Sequence, residues 1–584
     1  RRVLGRRRVK GGPVVLRDVR QRASVPRALE GMLPFLVSAA FSAGAAAAPK
    51  PRLHFIRPEV YEVGGWHDVA GAFTHKQVHH VWMGTGWNHA SSNDLVQWRV
   101  GAQGPQAIHE RHGGMDSETV PCSGFVYKDA DGAICAGFRQ CSSTKGVEGG
   151  APWDVPLEVR CALDADLDSW SIEPDYLFNV SWYRSLPYDP ARPWFEGGAW
   201  YVLLAMDGCN ATQQEPLRHY HGGCAAGGAL GLWRTKQATF RGGDAPWDFL
   251  GFPFTSNATV LADAFLSREF VTIDYVGGLV GDVLKGATRV FFDNVGGNGG
   301  GDGCCSGTTS YRAFAPTAPG APFGDPVSAG MVDWGAFYER SDAGAYHGVS
   351  RLLGNASRGF SMARTLGADD DYVIATGRRV LVGWVGPSPE KSHSAQSLPR
   401  DLELAQDSSL LQQFSPELKR LRAAEMNMLN ERSVEADSPF FEVVARFTAS
   451  SNQVCGVAVL ADANDDAGVF VSLDAGTGLV SVDTRRNGND RVRCGPLPSA
   501  GPDGRHAVHI FVDKNLVELI VDNATAFAVY AKPISGNTRV HLVGCDDGAA
   551  TLDVFQLHDP QHDYGPGAAR AHQAVAGPAD AAIM

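Results

Sequence analysis

The sequence predicts an all-β protein whose larger part is a β-propeller or a very large β-sandwich. After Pro49, short apolar segments rich in Val, Ile, Phe, Tyr and Trp alternate with Gly, Asp, Asn and Pro, a pattern typical of strands joined by turns. Gly and Pro make up 101 of the 584 residues, about 17% against a usual share of roughly 12%, which indicates many tight turns. Convincing amphipathic helices are nearly absent before residue 405, and a long run of strands without helices favours these two architectures.

Six segments before residue 405 have the length and composition of strands. They are His79–Gly84, Gly124–Phe138, Ala199–Met206, Arg268–Val276, Thr288–Val295 and Arg378–Gly386. A second β region follows residue 433, and the strict alternation in VHIFVD and LVELIV predicts strands of a two-sheet sandwich. Between the two regions, apolar residues at near-helical spacing without Gly predict a linker helix over Pro416–Leu429.

The charge distribution argues against nucleic-acid binding. The net charge of −12 includes ten Lys or Arg residues within residues 1–31, so the rest of the chain carries 42 basic and 62 acidic residues. Binding to phosphates needs a basic surface, which this acidic body does not offer. A nucleic-acid partner is therefore not expected.

The segment Leu33–Ala48 is apolar but only 16 residues long, and Pro34 and Gly44 interrupt it. A membrane span needs about 20 residues, whereas a basic stretch followed by a short apolar run and small residues is typical of a secretory signal. We expect cleavage near Ala46–Ala48, with an uncleaved anchor as the alternative. Five glycosylation sequons also favour a secreted or vacuolar glycoprotein. They begin at Asn179, Asn210, Asn257, Asn355 and Asn523.

The cysteines and histidines predict no metal site and no cofactor. Eleven cysteines in a chain of this length are no disulfide framework, their pairing cannot be read from their spacing, and no Cys-x-x-Cys pair occurs. The adjacent His79 and His80 are expected to be strand residues, because neighbours along a strand face opposite sides of the sheet. We expect neither a metal nor an organic cofactor.

Three acidic residues stand beside aromatic residues near the ends of predicted strands: Asp68, Asp189 and Glu269. Hydrolysis of a glycosidic bond needs one carboxyl group to protonate the leaving oxygen and another to attack the sugar or stabilise its cation. Aromatic rings can stack on sugar faces, and Trp66 and Trp87 lie in the same region of the sequence as Asp68. With 64 acidic residues in the chain, however, each of the three could also be a surface charge or a turn residue.

Four groups of segments, taken in order, carry a resemblance to a known family. They are WNHASSNDLVQW (Trp87–Trp98), MVDWGAFYE with GRRVLVGWVG (Met331–Glu339, Gly377–Gly386), SAQSLPRDLEL with LLQQFSPELKRLR (Ser394–Leu404, Leu410–Arg422) and HIFVDKNLVELIVDN (His509–Asn523). They resemble the motifs WGHAxSxDLVxW, DYGxFYA with RRxLxGW, QSxPRxxxL with LxQxPxxEIxxLR, and RxFVDxSxVExF of glycoside hydrolase family 32, the invertases and fructan hydrolases. The resemblance covers most of residues 53–558 and implies a five-bladed β-propeller followed by a β-sandwich.

The resemblance implies that Asp68 is the catalytic nucleophile. The family has WMNDPNG where this chain has Trp66-His67-Asp68-Val69-Ala70-Gly71, with one residue fewer after the Trp, His67 in place of Asn, and Gly71 in the turn. Trp66 and Trp87 are expected to contact the substrate. His67 can either contact a sugar hydroxyl or satisfy a hydrogen bond in the core.

The other implied site residues lie in three further motifs. In LPYDPARPW, Asp189 takes the place of the transition-state-stabilising Asp of the family's RDP motif, but Tyr188 replaces the Arg. Tyr188 is expected to line the sugar pocket, with another basic side chain (Arg184 is the nearest in sequence) supplying the missing charge. Glu269 is the best match to the acid/base of the ECPDF-type motif, with a surface strand residue as the alternative. Ser123, in PCSGF, resembles the sugar-contacting FSG element.

The resemblance implies a retaining glycoside hydrolase that cleaves β-fructofuranosides such as sucrose or a fructan. A retaining pair predicts that the carboxyl groups of Asp68 and Glu269 lie about 5–5.5 Å apart. Two alternatives remain open. One is a fructosyltransferase, and the other is a carbohydrate-binding relative with altered or lost catalysis, motivated by the changes around Asp68 and at Tyr188.

The expected domain organisation follows from these segments. It comprises a basic leader with a signal peptide or anchor (1–48), a five-bladed catalytic propeller (49–407), a linker helix (408–433), a β-sandwich (434–559) and a tail without fixed structure (560–584). Asp513 and Glu518 of the sandwich motif are expected to be structural polar partners.

Overall fold

Strands form almost all of the regular structure among the described residues, as the sequence predicts. The computed structural model describes residues 53–55, 69–84, 87–100, 119–142, 157–171, 175–176, 190–207, 228–241, 246–255, 271–275, 289–295, 309–315, 326–335, 337–338, 357–358, 360–366, 371–386, 394–425, 432–448, 453–462, 464, 467–487, 492–531, 538–545 and 550–563. All of them belong to one compact unit, Ala48–Met584. The predicted leader and signal segment, residues 1–48, lies outside the described residues.

Five antiparallel sheets of four or five strands follow one another along the chain and form blades I to V. Blade I contains β1 (Val69–His75), β2 (Val78–Met83), β3 (Asn88–Ser92) and β4 (Arg99–Val100); blade II contains β5 (Thr119–Lys128), β6 (Ile134–Ser142), β7 (Leu157–Cys161) and β8 (Asp175–Tyr176). Blade III contains β9 (Trp194–Glu196), β10 (Ala199–Asp207), β11 (Gly228–Thr235) and β12 (Asp248–Thr255); blade IV contains β13 (Val271–Tyr275), β14 (Arg289–Val295), β15 (Thr309–Phe314) and β16 (Pro326–Met331). After a two-stranded pair, β17 (Phe337–Tyr338) and β18 (Ser357–Arg358), blade V contains β19 (Phe360–Thr365), β20 (Arg379–Val385), β21 (Ala395–Gln396), β22 (Arg400–Leu404) and β23 (Leu410–Phe414).

The five blades form a propeller because apolar side chains fill the space between neighbouring sheets. Blades I and II share a cluster that includes Phe73, Trp82 and Phe138, and blades I and V share one that includes Val81 and Trp384. Burial on both faces explains why β20 is apolar after Arg379, its first residue: all seven of its residues are buried. The predicted five-bladed propeller is confirmed, and each of the six predicted strand segments contains strand.

Two six-stranded sheets form the C-terminal β-sandwich. The strands are β24 (Arg422–Glu425), β25 (Ser433–Glu435), β26 (Phe440–Phe447), β27 (Val454–Ala461), β28 (Val469–Asp474), β29 (Leu479–Asp483), β30 (Val492–Pro496), β31 (His506–Asp513), β32 (Leu516–Val521), β33 (Thr525–Tyr530), β34 (Arg539–Val543) and β35 (Ala550–Leu557). One sheet has the order β24-β35-β26-β31-β32-β33 and the other β25-β34-β27-β28-β29-β30. Their inner faces enclose one continuous core, rich in Val, Leu and Phe.

The predicted linker helix over Pro416–Leu429 is wrong. The chain forms strand β23, a 3₁₀-helix over Pro416–Leu421 and strand β24 instead, and residues 426–431 lie outside the described part. Leu418 and Leu421 are both buried, and a spacing of three residues suits one side of a 3₁₀-helix. Arg422 belongs to a sheet of the sandwich, because β24 pairs with β35. This pairing with a distant segment outweighs the near-helical spacing of the apolar residues. The other short helices among the described residues are Asp371–Thr376 and Arg485–Asn487.

The start of the predicted unstructured tail is also ordered. Asp563 accepts a hydrogen bond from the Val100 backbone N–H (2.8 Å) and donates one to the Trp98 carbonyl (2.9 Å). His562 lies 3.1 Å from the Leu53 carbonyl through Nε2. Residues 560–563 therefore pair with the edge of blade I, because this edge offers unpaired backbone groups. Residues 564–584 lie outside the described part of the chain.

A buried ion network joins blade V to the sandwich. The Arg400 guanidinium donates from Nη2 to Asp333 (2.9 Å) and to Glu518 (2.7 Å), and none of the three side chains is exposed. Asp333 also accepts hydrogen bonds from the backbone N–H groups of Gly335 (2.7 Å) and Ala528 (3.1 Å). The network fixes the two domains against each other, because buried charges must stay paired.

His54 extends this network on the side of the N-terminal segment. Its Nδ1 lies 2.8 Å from Asp513 and its Nε2 lies 2.8 Å from Glu518, again with no exposed surface. Burial disfavours the charged imidazole, but the hydrogen bonds to Asp513 and Glu518 outweigh burial and raise the pKa of His54 to about 9. The prediction that Asp513 and Glu518 are structural polar partners is confirmed.

Each domain contains a disulfide between described residues. Cys135 and Cys161 face each other on β6 and β7 of blade II, and Cys455 and Cys545 join neighbouring strands of the sandwich. The sequence left this pairing open. No helix of the described residues is long and apolar enough to cross a membrane.

Candidate active site

The first strands of the five blades, β1, β5, β9, β13 and β19, each form one edge of their sheet. Strand β1 lies beside both β5 and β19, and β19 also lies beside β13. In a propeller built from such blades, the first strands surround the central axis and run in the same direction. Their starting residues therefore meet at one end of the axis, which we call the axial mouth: Val69, Thr119, Trp194, Val271 and Phe360.

Three predicted site residues stand just before these strands in the sequence. Asp68 precedes Val69 directly, whereas Asp189 and Glu269 lie shortly before β9 and β13. Their side chains are outside the described part of the chain. The full set of predicted site residues outside it is Trp66, His67, Asp68, Arg184, Tyr188, Asp189 and Glu269. The predicted separation of the Asp68 and Glu269 carboxyl groups thus stays a prediction.

Arg192 links three blades near the axis. It follows Asp189 by three residues, and the hydrogen bond from the Ala191 N–H to the Leu203 carbonyl (2.9 Å) continues the pairing of β9 with β10 up to this point. Its Nη2 donates to the carbonyl of Ala72 on β1 and to the carbonyl of Thr365 on β19 (3.0 Å). The side chain is only 5% exposed. Arg192 therefore holds blade III against blades I and V at the level of Ala72.

Arg364 makes a second contact of this kind, nearer the axial mouth. From β19 its Nε donates to the carbonyl of Val69, at 3.0 Å, and the side chain is 4% exposed. Because Arg192 bonds both Ala72 and Thr365, these two residues lie at similar depth along the axis. Arg364 directly precedes Thr365, so its backbone lies at nearly the depth of Ala72. Its side chain nevertheless bonds Val69, which lies three residues nearer the start of β1. The side chain of Arg364 therefore points towards the axial mouth.

Trp87 is not available for stacking on a sugar, which corrects the prediction that it binds substrate. It has no exposed surface and packs beside Trp82 and Phe138, with ring centroids 6.3 and 5.6 Å away. Gly124 makes room for its ring, since a Cβ atom on Gly124 would lie 2.5 Å from Trp87 Cζ2. Gly71, expected in a turn, lies within β1 next to an irregularity in its pairing with β2. Trp87 is therefore a packing residue between blades I and II.

Ser123 lies on β5, the first strand of blade II. The pairing of β5 with β6 shifts register between Pro121 and Gly124, around this residue, and β-bulges often lie next to active sites. The structure thus places the backbone of Ser123 in the middle of an axial strand, at a register shift. Its contact with a sugar stays a prediction.

Blade I carries a buried chain of hydrogen bonds through two histidines. His80 Nδ1 lies 2.9 Å from His89 Nε2, and His89 Nδ1 lies 2.8 Å from the Asp168 carboxylate. Burial, assisted by the neighbouring His89, lowers the pKa of His80 well below its usual value, so His80 is neutral at physiological pH. His79 instead lies 2.8 Å from the Thr74 hydroxyl, so the two neighbours do point to different partners. The described residues contain no group of three or more His, Cys, Asp or Glu side chains suited to a metal ion.

The fold is similar to that of several solved enzymes, although no protein-family model matches the chain and no curated protein matches it in sequence. A Bombyx mori β-fructofuranosidase matches with 14% identity and a TM-score of 0.59, covering 88% of this chain and 94% of its own. An Aspergillus kawachii β-fructofuranosidase matches with 15% identity and a TM-score of 0.62, covering 88% and 95%. The fructan 1-exohydrolase IIa of Cichorium intybus matches with 15% identity and a TM-score of 0.59, covering 88% and 98%.

The chain has the fold of glycoside hydrolase family 32. The match extends over both domains, since it covers nearly nine tenths of the chain. At this identity the likeness concerns the fold alone, and a fold does not determine an activity. The family-32 fold does confirm the five-bladed propeller and the C-terminal β-sandwich that the sequence motifs imply.

Sequence reasoning missed Arg192 and Arg364 as residues of the axial region. Arg192 lies just before β9 in DPARPW, and Arg364 is the one charged residue of β19, FSMART. A basic residue beside or within a strand that faces a core needs a polar partner, and that need is the signal that could have drawn attention to both. The partners themselves, carbonyls of β1 and β19, are far away in sequence and become visible only in the folded chain.

Proposed function

We propose that this protein is a glycoside hydrolase that cleaves β-fructofuranosides, such as sucrose or a fructan, and releases fructose. The observation that carries the proposal is the position of three carboxylates in the chain. Asp68, Asp189 and Glu269 each stand just before the first strand of a different blade in a fold of the family-32 type. Since the first strands begin at the axial mouth, we expect the three carboxylates at the same end of the propeller.

The Arg192 contacts support a common level for two of these carboxylates. Arg192 bonds the carbonyl of Ala72, and the two strands that carry these residues run in the same direction. Asp189 lies three residues before Arg192 and Asp68 lies four residues before Ala72. Both carboxylates are therefore expected roughly 10–13 Å nearer the axial mouth than the Arg192 contact, at similar height.

The proposed mechanism is retaining. Asp68 attacks the anomeric carbon of the fructosyl unit while Glu269 donates a proton to the departing oxygen, which gives a covalent fructosyl-enzyme. Glu269 then takes a proton from water, and the resulting attack releases fructose and restores Asp68. Asp189 binds fructose hydroxyls and stabilises the oxocarbenium-like transition state of each step.

Solved proteins with a similar fold support the proposed substrate class. A variant of the Bombyx mori β-fructofuranosidase is known in complex with sucrose, and an exo-inulinase from Aspergillus awamori has a similar fold, with 15% identity and a TM-score of 0.58. A fructosyltransferase from Aspergillus japonicus has a similar fold too, also with a TM-score of 0.58. Transfer to a sugar hydroxyl instead of water is therefore the second candidate.

A route through the secretory pathway is part of the proposal. The predicted signal near Ala46–Ala48 and five sequons motivate it. Asn523, the sequon residue within the described part of the chain, is exposed in the turn between β32 and β33. An oligosaccharide could be attached there without disturbing the sandwich core. Mass spectrometry of the protein from its native source would detect the glycan and the mature N-terminus.

Release of fructose from sucrose, inulin and levan tests the proposal directly. Asp68→Asn should abolish turnover of every substrate, because the nucleophile is lost. Glu269→Gln should impair sucrose and fructans most and should retain the first step with an activated fructoside, whose leaving group needs no proton; added azide should then restore turnover. Asp189→Asn should lower the rate of cleavage by about 10²-fold both for sucrose and fructans and for the activated fructoside. Glu403→Gln, a change of an exposed carboxylate on β22, is the control and should have no effect.

The alternatives predict different results. Longer fructo-oligosaccharides formed at high sucrose concentration, with little free fructose, would identify a transferase. Binding of sucrose or inulin in calorimetry without any product would identify a carbohydrate-binding relative. Small, equal losses in the three carboxylate variants would contradict the assigned roles.

A further inference from the structure

Arg364 joins blade V to the start of blade I. Its buried side chain donates from Nε to the carbonyl of Val69, the residue covalently joined to Asp68. Two other arginines of the blade, Arg378 just before β20 and Arg400 on β22, form ion pairs with carboxylates of blade V, the 3₁₀-helix and the sandwich junction. A buried hydrogen bond from a cation to a carbonyl fixes the carbonyl strongly, since charge-assisted bonds are roughly twice as strong as neutral ones.

The direction of the Arg364 side chain brings its charge towards the axial mouth. Ala72 and Thr365 share the Nη2 of Arg192 and so lie at similar depth. From its position next to Thr365, Arg364 reaches back to Val69, the first residue of β1. The sequence motifs indicate that the sugar pocket lacks one cation of the family-32 motif, because Tyr188 stands where that motif has Arg.

We propose that Arg364 is a positioning residue of the proposed active site, which holds the start of β1 through the Val69 carbonyl and supplies the positive charge that Tyr188 does not. The inference rests on the proposed function, in which Asp68 is the nucleophile. Fixing Val69 limits the movement of the peptide that joins it to Asp68. A displacement of about 1 Å in a nucleophile can cost about 10²-fold in rate.

Kinetics of two variants test the positioning role. Arg364→Met removes both the charge and the hydrogen bond, and should lower kcat for an activated fructoside by about 10²-fold with little change in KM. Arg364→Lys keeps the charge and should recover part of this loss. Arg378→Met is the matched control: it removes a guanidinium of the same blade that bonds Asp401 and Glu417, and it should leave kcat unchanged. Thermal unfolding of all three variants shows whether they are folded at the assay temperature.

A second readout does not depend on turnover. Carbodiimide with glycine ethyl ester modifies protonated carboxyl groups, and mass spectrometry of the peptide that contains Asp68 gives its labelling as a function of pH. Loss of a nearby positive charge should raise the pH at which Asp68 is half labelled by about one unit in Arg364→Met. This pH should not change in Arg364→Lys or Arg378→Met. Asp189 and Glu269, expected around the axial mouth, and Arg192, which lies deeper along the axis at the level of Ala72, are the same in all these proteins.

The two readouts separate the possible failures. If the unaltered protein releases no fructose but the Asp68 profile shifts as expected, the proposed function fails and the placement of Arg364 is supported. If the protein is active but Arg364→Met matches Arg378→Met in kcat and in the labelling profile, the inference about Arg364 is wrong. A loss of kcat without any shift in the profile would also contradict the charge that we assign to it.

Discussion

Arg400 and Glu518, 118 residues apart in the chain, form an ion pair of 2.7 Å with no solvent-exposed surface on either side chain. Arg400 lies on blade V and Glu518 on β32 of the sandwich. Asp333 and His54 complete the pairing, so each charged group has at least one partner of opposite sign. Separation of the propeller from the sandwich would therefore break ion pairs between buried charges, which costs free energy.

Replacement of Arg400 tests this junction. Arg400→Met should lower the free energy of unfolding by about 3–5 kcal/mol, because the buried Asp333 would lose its cation and Glu518 would keep only His54 as a charged partner. Urea denaturation followed by tryptophan fluorescence measures the change. Arg446→Met, which removes a cation that is 47% exposed and 3.8 Å from Asp553, should change stability by less than about 1 kcal/mol. Equal effects of the two changes would contradict the role of the buried network.

Stability should fall at alkaline pH because of His54. Its pKa is raised from 6.5 to about 9 in the folded protein, so the folded state binds the proton more tightly than the unfolded state does. The resulting stabilisation is complete below pH 6.5 and is lost as the pH rises through 9; its full size is about 3 kcal/mol. Urea midpoints between pH 6 and 10 should show this decline. A His54→Gln variant should show a flatter profile, and an unchanged slope would exclude His54 as the group responsible.

Position 124 should not accept a side chain, because Gly124 lies directly against the Trp87 ring. A Cβ atom on Gly124 would lie 2.2 Å from the Gly137 carbonyl oxygen and 2.5 Å from the Trp87 ring, so Gly124→Ala should destabilise the protein by about 3 kcal/mol. Gly501→Ala, whose Cβ would meet its nearest atom at 3.2 Å, is the control and should cost much less. Calorimetric melting temperatures of the two variants compare the effects. A small shift for Gly124→Ala would show that blades I and II can move apart.

The disulfide of the sandwich should contribute more stability than that of blade II. Cys455 and Cys545 are 90 residues apart, whereas Cys135 and Cys161 are 26 apart. In the chain-entropy description, closing the longer loop gives about 4–5 kcal/mol and closing the shorter one about 3–4 kcal/mol. Denaturation of the Cys455→Ala/Cys545→Ala and Cys135→Ala/Cys161→Ala proteins measures both. The reverse order would indicate that the unfolded protein keeps structure around residues 455–545.

Local sequence patterns were sufficient where structure depends on near neighbours. The alternation of apolar and polar residues in VHIFVD and LVELIV predicts β31 and β32 because the side-chain period of a strand is a property of the strand itself. The same reasoning failed over Pro416–Leu429, where Arg422 enters a sandwich sheet by pairing with Leu557. A partner 135 residues away decided that conformation, and periodicity carries no information about such a partner.

Composition and motifs alone predict the all-β class and the two β regions, and they single out the candidate carboxylates Asp68, Asp189 and Glu269. They do not predict that Trp87 packs between blades instead of facing a ligand, or that Arg364 reaches the Val69 carbonyl on a strand 295 residues away. Both outcomes have the same cause. Which face of a strand is covered, and which carbonyl a buried guanidinium finds, depends on how separate blades close around the axis and not on the residues next to it in the chain.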